Sequence, residues 1–441
     1  MDERRVVIDP IHSRIELPVW ITKLAAEKPS VRRMMQIRQL GLKAYLDFPG
    51  AIHTRYSHAL GSMHLASKIT SMLSEREKRR NKLTVSEILK DYQINIAAAG
   101  FLHDIAHGPF SHAIDFVLEK NLKKTHEQIA REVICDELKD LEKFGISTKS
   151  VADIIDGSHE FGFVSQIING PLDVDKLDYL LRDSYHVGLK YSFDLDYFIN
   201  GYSVLGNDEF PEECELGLQD VPETVTTAEV FVLIWRSMYD LVYHIENSRI
   251  AEKMLEKALI LECQDNSDIK EYFKSIQKYI QLNDELLLQL LLERGSNFSK
   301  QIVEAIFKKG TVFKTTYTTD LKQLSARKIV DERFMDALIG ESKEEEISDK
   351  MSLKVCEKLG VDKYDIIVDI IKGKVPETIH IDRPIDLKKG EPPELADESD
   401  IIKYMEPRIK LKAYVNGVTH KKLGTETINM KVEEVLSSWQ E

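Results

Sequence analysis

The sequence is poor in cysteine, and its few cysteines are far apart. The four of them, at positions 135, 214, 263 and 356, form no pair at a short spacing. Disulfide frameworks and cysteine-based zinc sites both need such pairs, so we expect neither. Any metal ion must then be held by histidine, aspartate and glutamate side chains.

A long apolar run is also missing. A transmembrane helix needs about 20 predominantly apolar residues, and no stretch approaches that length. The N-terminal stretch MDERRVVIDPIHSRIEL carries charges, and the apolar core of a secretory signal does not follow it. We therefore expect no membrane partner and a cytoplasmic location.

Positive charge is not in excess, since the formal net charge is −14 at pH 7. Binding to a nucleic-acid backbone relies on clustered lysine and arginine, and no basic stripe interleaved with aromatic residues is present. We therefore expect no nucleic-acid partner. A local basic pocket for a small anion stays open, because net charge does not determine local charge.

The 441 residues, 43% of them hydrophobic, suffice for a large core and a smaller second unit. Residues 1–20 alternate apolar and polar positions and predict an extended arm or hairpin. Over 21–310 the apolar spacing is mostly three and four, which predicts a helical body with a long loop at 204–224. Residues 311–441 contain the strand-like runs YDIIVDII, ETIHIDRPIDL and RIKLKAYV. The predicted fold is mostly α with a small α+β C-terminal subdomain.

Histidine and aspartate are concentrated in four short groups. These are HTRYSH (53–58), HDIAHGPFSH (103–112), THEQ (125–128) and DVDKLDYLLRDSYH (173–186). On helices, three pairs would share a face: Arg55 with His58, His103 with His107, and Asp175 with Tyr179. A lone histidine at a helix end is more often structural, but four such groups together favour a metal site. Imidazole and carboxylate ligands suit first-row divalent metals and leave positions for water and a phosphate oxygen.

The order His58, His103-Asp104, Asp175 resembles the H…HD…D signature of the HD-domain phosphohydrolases. Six stretches are similar, in the same order, to motifs of the sterile-alpha-motif/HD-domain deoxynucleoside triphosphate (dNTP) triphosphohydrolases and their prokaryotic relatives. They are DPIHSRIEL, RQLG, FPGAIHTRYSHALG, LHDIAHGPFSHAID, THEQ and DVDKLDYLLRDSYHVG. The similarity is close over about 9–190 and weaker beyond. The first motif begins at residue 9, so we expect no sterile-alpha-motif domain before it.

This resemblance implies an HD-domain helical core and a metal-dependent enzyme. Such an enzyme cleaves a dNTP to a deoxynucleoside and tripolyphosphate by attack of water on the α-phosphorus. The positions that match the family's metal ligands are His58, His103, Asp104 and Asp175. The ion would be divalent, with Fe, Mn, Ni, Zn and Mg all left open.

The resemblance also implies catalytic residues beside the metal. His107 matches a histidine that contacts phosphate, and His112 with Asp115 matches a pair suited to proton transfer. His126 and Glu127 match a pair near the attacking water. The proton donor to the leaving oxygen stays open between His112 and His126, and we favour His112.

Further matches imply the substrate contacts. Arg55, Lys176 and Arg236 would neutralise the triphosphate, and Tyr179 and Asp183 would contact phosphate and the sugar 3′-hydroxyl. Gln39 matches a base contact, Leu40 a sugar-packing residue, and Tyr243 a tyrosine beneath the deoxyribose. The spacing around Arg236 and Tyr243 departs from the family pattern by one residue. An apolar and aromatic wall at C2′ would leave a ribose 2′-hydroxyl unpaired or clashing, which favours deoxynucleotides.

The resemblance implies a homo-oligomer, either a dimer or a tetramer, and raises the question of a nucleotide activator. The segment AAEKPSVRRMMQIRQLG lacks the aspartate and glutamine of the family's activator site, which puts a guanine-specific site in doubt. Two alternatives stay open. One is an HD phosphohydrolase acting on monophosphates, cyclic nucleotides or (p)ppGpp. The other is a nucleotide-sensing scaffold, which would predict loss of a ligand or of the His112–Asp115 pair, and neither is lost.

Overall fold

The computed structural model describes residues 5–265, 267–307, 313–326, 344–373, 378–382, 394–405 and 408–439. Over these residues the protein is mostly helical, with three small sheets. The expected mostly-α fold with a small α+β C-terminal region is therefore confirmed. In the described part of the chain, no helix is both long and apolar enough to cross a membrane.

The N-terminal arm is a β-hairpin. Strand β1 (Arg5–Asp9) pairs antiparallel with β2 (Ser13–Leu17). The Asp9 carboxylate closes the turn by accepting the backbone N–H groups of Ile11 and His12, each at 2.9 Å. Alternate residues of β2, among them Ile15 and Leu17, are buried in the main core, which holds the hairpin against the helical body.

The helical body contains most of the helices of the described chain. They are α1 Val19–Glu27, α2 Pro29–Arg33, α3 Lys43–Leu46, α4 Arg55–Arg79, α5 Leu83–Asp91, α6 Gln93–Leu102, α7 Asp115–Leu122, α8 His126–Glu132, α9 Thr148–Ile155, α10 Gly162–Gln166, α11 Val174–Val187, α12 Leu195–Ile199, α13 Pro222–Met238, α14 Glu246–Asp265, α15 Ser267–Lys270, α16 Ile276–Tyr279, α17 Asp284–Arg294 and α18 Asn297–Phe307. Single π-helical turns, Val133–Glu137 and Tyr239–Tyr243, follow α8 and α13.

Three of these helices position the histidine and aspartate motifs. Helix α6 is apolar from Ile96 to Leu102 and lies close to α4, because Gly100 leaves room for the backbone of Ser62. Helix α11 starts at an N-cap, where Asp173 accepts the N–H of Lys176 at 2.7 Å, and it stops at Gly188 with a φ of 80°. The ends of α4, α6 and α11 therefore meet in the core.

The prediction of a long loop at 204–224 is wrong in part, because two strands enter this segment. Strand β3 (Tyr202–Leu205) pairs antiparallel with β4 (Glu215–Gln219). Strand β7 (Ile381–Asp382), from the C-terminal region, pairs parallel with β4. Neither strand alternates buried and exposed positions as a half-exposed strand does, because β3 is buried along its whole length and the two buried residues of β4, Gly217 and Leu218, are adjacent.

The C-terminal region forms the third sheet, which has its own helices. Its three antiparallel strands are, in order across the sheet, β5 (Phe313–Asp320), β8 (Ile409–Asn416) and β6 (Ile366–Lys372). The runs YDIIVDII and RIKLKAYV predicted two of them, β6 and β8. The helices are α19 Leu321–Ala326, α20 Glu344–Leu359, α21 Leu395–Glu398, α22 Asp400–Lys403, α23 Gly417–Leu423 and α24 Thr425–Ser437. A separate core lies between this sheet and α20 and α24. The predicted boundary at 310 lies outside the described residues.

Candidate active site

Three potential metal ligands converge where α4, α6 and α11 meet. His58 lies in the first turn of α4, His103 directly follows α6, and Asp175 lies in the first turn of α11. His58 Nε2 is 3.2 Å from His103 Nε2 and 2.9 Å from Asp175 Oδ1, and His103 Nε2 is 3.5 Å from Asp175 Oδ1. Atoms that bind one ion at about 2.0–2.2 Å lie roughly 3 Å from each other, so the spacing fits a single ion.

The proton positions on the two imidazoles also fit a cation. His103 Nδ1 is 2.9 Å from the carbonyl oxygen of Gly100, which can only accept, so Nδ1 carries the proton. His58 Nδ1 is 2.7 Å from Asp178 Oδ2, and the pKa of this carboxyl is far below its usual value despite its burial, because Arg182, His12 and His58 stabilise its charge. Both Nε2 lone pairs therefore face each other beside the Asp175 carboxylate. A divalent ion would satisfy all three groups.

Asp104, the fourth predicted ligand, borders the same cluster. Its Oδ2 is 3.7 Å from His58 Nε2, and its Oδ1 is 3.5 Å from His103 Nε2 and 3.2 Å from His107 Nε2. Arg55 donates from Nη1 to Oδ2 at 2.6 Å. The spacing of His103 and His107 predicted that they share a helix face. This prediction is wrong, because α6 ends at Leu102, before either residue. The turn after α6 brings both of them to Asp104 instead.

The charges around the cluster favour positive charge at His58 and an uncharged imidazole at His107. Burial disfavours a charge on His58, but hydrogen bonds with Asp175 and Asp178 outweigh it and raise the pKa to about 10. Burial and then the charge of Arg55 lower the pKa of His107 to about 3. The negative potential that would hold a proton on His58 is equally suited to a metal ion.

The cluster opens into a cavity of about 480 Å³, within the range of about 300–1,000 Å³ typical of small-molecule sites. Most of the predicted site residues line it: Gln39, Leu40, Arg55, Asp104, His107, His126, Asp175, Lys176, Tyr179, Asp183 and Tyr243. Among the described residues, this lining does not include His58, His103, Asp115, Glu127 or Arg236. The described side chains do not include that of His112, so its predicted pairing with Asp115 stays a prediction.

One wall of the cavity is a row of aromatic rings that begins at the metal cluster. The ring centroids of Tyr179 and Tyr243 are 6.0 Å apart, and those of Tyr243 and Tyr239 are 5.0 Å apart. Tyr243 donates from its hydroxyl to Asp183 Oδ2 at 2.8 Å, and His53 Nε2 is 2.7 Å from Asp183 Oδ1. Asp183 is thus held from two sides at the cavity wall.

Three more of the predicted residues, Lys176, His126 and Glu127, lie beside the cluster. Lys176 donates from Nζ to the Gly170 carbonyl at 2.8 Å and to Asp173 Oδ2 at 2.6 Å. The His126 ring stacks on His107 with centroids 4.5 Å apart, and its Nε2 is 3.0 Å from Glu127 Oε1. An imidazole pair and a carboxylate suited to proton transfer therefore lie beside the metal cluster.

Sequence reasoning missed two sets of residues. The first lines the cavity and comprises Lys43, Tyr239, His244, Arg249 and Glu252. Lys43 pairs with Glu252, and Arg249 binds both oxygens of Asp369 on β6 at 2.9 Å, which ties the C-terminal sheet to the cavity. The second set lies behind His58 and comprises Asp9, His12, Asp178 and Arg182. The stretches DPIHS and DVDKLDY contained the signal for three of these four.

Two known family descriptions match the chain. Residues 55–183 match the HD domain, and residues 219–438 match the HD associated region. The first match begins at Arg55 and ends at Asp183, so it contains all four predicted metal ligands.

Individual relatives agree with these matches. Deoxynucleoside triphosphate triphosphohydrolase SAMHD1 of Bos taurus is 28% identical over 342 residues, covering 68% of this chain and 56% of the relative. Uncharacterized protein MG461 of Mycoplasma genitalium is 30% identical over 312 residues, covering 64% of this chain and 68% of its own length. A hypothetical protein from Aquifex aeolicus has a similar solved structure, with a TM-score of 0.69 at 23% identity over 97% of this chain and all of that one. The chain spans about half the length of the SAMHD1 relatives, since the human protein is covered over 51%.

Proposed function

Because this chain belongs to the HD-domain family of metal-dependent phosphohydrolases, we propose that it hydrolyses dNTPs to a deoxynucleoside and tripolyphosphate. One observation supports this proposal above the others. The Asp104 and Asp175 carboxylates of the metal cluster, four lysine and arginine side chains and a wall of tyrosines line a single cavity. A nucleoside triphosphate combines the same three features, since it is a polyanion joined to an apolar sugar face and a base.

The polyanion would bind at the end of the cavity nearest the metal. A divalent ion held by His58, His103, Asp104 and Asp175 would polarise a phosphate oxygen and make a bound water more acidic. Arg55 is buried beside Asp104, and Lys176 directly follows Asp175, so both cations are fixed before substrate arrives. Cations placed in advance stabilise the charge that develops on phosphate in the transition state.

Two protons must move during the reaction. A water oxygen forms a bond to the α-phosphorus while the bond from that phosphorus to O5′ breaks. His126, which pairs with Glu127 and stacks on His107, would accept the proton of the attacking water. The leaving O5′ needs a proton, and His112 is our favoured donor. The products are then a deoxynucleoside and tripolyphosphate.

The sugar would lie on Leu40 and Tyr243. Leu40 is 5% exposed and lines the cavity, and the Tyr243 ring stands between Tyr179 and Tyr239. Asp183 is available to accept a hydrogen bond from the 3′-hydroxyl, and its hydrogen bonds with Tyr243 and His53 hold it in place. A ribose 2′-hydroxyl would meet apolar atoms in this arrangement and find no partner.

The test is a product analysis. Purified protein is incubated with each dNTP and each NTP in Mg²⁺ or Mn²⁺, with and without GTP as an activator, and the products are separated by chromatography. Deoxynucleoside plus tripolyphosphate is the expected result, and monophosphate plus pyrophosphate would refute the proposal. Parallel incubations contain nucleoside monophosphates, cyclic nucleotides or (p)ppGpp, and turnover of these alone would place the enzyme elsewhere among the HD phosphohydrolases. Light scattering of the same sample tests the predicted dimer or tetramer.

A further inference from the structure

We propose that the N-terminal hairpin is a functional part of the metal centre, because through His12 and Asp9 it holds the carboxylate that orients the metal ligand His58. His12 and Asp9 are therefore positioning residues, which act on the metal through Asp178. The proposal concerns metal binding alone and does not depend on which phosphate ester is hydrolysed.

The central group is the carboxylate of Asp178, which is fully buried. Its Oδ2 is 2.7 Å from His58 Nδ1 and accepts from Arg182 Nε at 2.8 Å. Its Oδ1 is 2.6 Å from His12 Nε2 and accepts from Arg182 Nη2 at 2.9 Å. Every direction in which this carboxylate accepts hydrogen bonds is therefore taken, and its orientation toward His58 depends on the partners at Oδ1.

The hairpin holds those partners from the other side. Arg182 donates from Nη1 to Asp9 Oδ2 at 2.8 Å and from Nη2 to Asp9 Oδ1 at 3.3 Å. The same Asp9 Oδ1 accepts the backbone N–H of His12 at 2.9 Å, so the turn that places His12 is built on the residue that anchors Arg182. A continuous set of hydrogen bonds thus runs from the hairpin turn to the metal ligand.

Helix α4 leaves space for this carboxylate at one position. Gly61 is three residues after His58, and a Cβ built on it would lie 1.8 Å from Asp178 Oδ1 and 2.5 Å from Arg182 Nη2. A methyl group at this position would displace the carboxylate and crowd Arg182, while every residue of the hairpin stays the same. Gly61→Ala therefore perturbs the same contact from the opposite side.

An imidazole that binds a metal through one nitrogen commonly donates from the other to a carboxylate, which sets its tautomer and ring orientation. Loss of such a partner costs about 10- to 100-fold in metal affinity. In this protein the partner is held by a segment more than 40 residues before the first ligand in the chain. Changes in the hairpin should therefore alter metal affinity although no hairpin residue touches the metal.

The experiment measures Mn²⁺ and Co²⁺ binding to metal-stripped, full-length protein by calorimetry, with the visible spectrum of the Co²⁺ form as a second readout. We expect His12→Ala and Gly61→Ala each to weaken binding at least about 10-fold and to change the Co²⁺ spectrum. His12→Gln, which keeps a donor near the same place, should restore affinity to within a few-fold. Arg14→Ala is the control, because Arg14 is exposed on the same hairpin.

Two results would overturn the proposal. Unchanged affinity and spectrum in His12→Ala would show that the hairpin does not support His58, whatever the result for Gly61→Ala. Affinity that falls equally in Arg14→Ala would show a general effect of loosening the hairpin. Melting temperatures of the metal-free proteins are measured alongside, so that a loss of folding is recognised in each variant.

Discussion

Gly41 is predicted to be indispensable for both stability and activity, because it has an unusual backbone conformation and lies against the turn that carries His107. Its φ is +50°, and a Cβ there would lie 2.7 Å from the carbonyl oxygen of Phe110. Phe110 and Ser111 also have positive φ values, 58° and 55°, which residues other than glycine rarely adopt. The Ser111 hydroxyl in turn accepts from Arg55 Nε at 3.3 Å.

The size of the effect of Gly41→Ala follows from two costs. A left-handed conformation costs an alanine about 1–2 kcal/mol relative to its preferred regions. Ordinary contacts start at 3.4 Å, so the Phe110 carbonyl or Gly41 must move by 3.4 − 2.7, or about 0.7 Å. Forcing an atom into a packed interior costs about 1–3 kcal/mol. We expect a total loss of about 2–5 kcal/mol in the free energy of unfolding.

Gly145→Ala is the matched control. Gly145 has a φ of +73°, but nothing lies within 4 Å of a Cβ built on it. This variant bears the conformational cost alone, about 1–2 kcal/mol. The free energy of unfolding is measured by urea titration of the wild type and both variants, and hydrolysis rates are measured under conditions in which each is folded.

We expect Gly41→Ala to lose at least about 1 kcal/mol more than Gly145→Ala and to lose activity beyond its loss of folded protein, because its displaced turn carries site residues. Equal losses in the two variants would refute the steric part of the reasoning. A Gly41→Ala protein with wild-type activity would show that the contact between the two loops does not position the site.

Three further predictions concern the site itself. His103→Ala should abolish hydrolysis and lower the metal content, whereas full activity with stoichiometric metal would refute the assigned cluster. Lys176→Ala should lower turnover by about 10²-fold, because a fixed cation is lost. It should also lower the free energy of unfolding by about 1 kcal/mol, because Asp173 loses a partner. Comparable effects on rate and melting temperature would favour a purely structural ion pair. The Leu40→Ala/Tyr243→Ala double variant should raise the ratio of kcat/KM for GTP over dGTP while dGTP hydrolysis falls, within a swing of about 10²-fold for a wall that lacks a steric clash. An unchanged ratio would mean that the sugar is recognised elsewhere.

Local spacing was a sound guide wherever a regular helix carries the motif. Arg55 and His58 both lie in the first turn of α4, and Asp175 and Tyr179 both lie in α11, so each pair shares a helix face as predicted. All four residues are at or near the cavity because an amphipathic helix presents one face to its neighbours. Their roles toward a substrate stay predictions, since a position in a cavity does not by itself specify chemistry.

The same reasoning was wrong where the backbone leaves the helix. His103 and His107 have helical spacing, but the chain turns after Leu102 and reaches Gly108 within six residues. Tertiary contacts hold this turn, because Tyr279 donates from its hydroxyl to the Ala106 carbonyl at 2.8 Å and Asp284 accepts the N–H of Phe110 at 2.9 Å. Both partners are more than 170 residues away in the chain, so no local pattern indicates them.

The amino-acid sequence by itself therefore determined the class of the fold, the helices that carry the motifs and the chemical type of the metal ligands. These properties depend on side-chain periodicity and on functional groups, both of which can be read within a few residues. Only the tertiary structure decided that Asp178 meets His12, 166 residues earlier, and that Arg249 meets Asp369 on a separate sheet. Such pairs form because folding buries charges that must find partners, and the packing of distant elements decides which partner each charge finds.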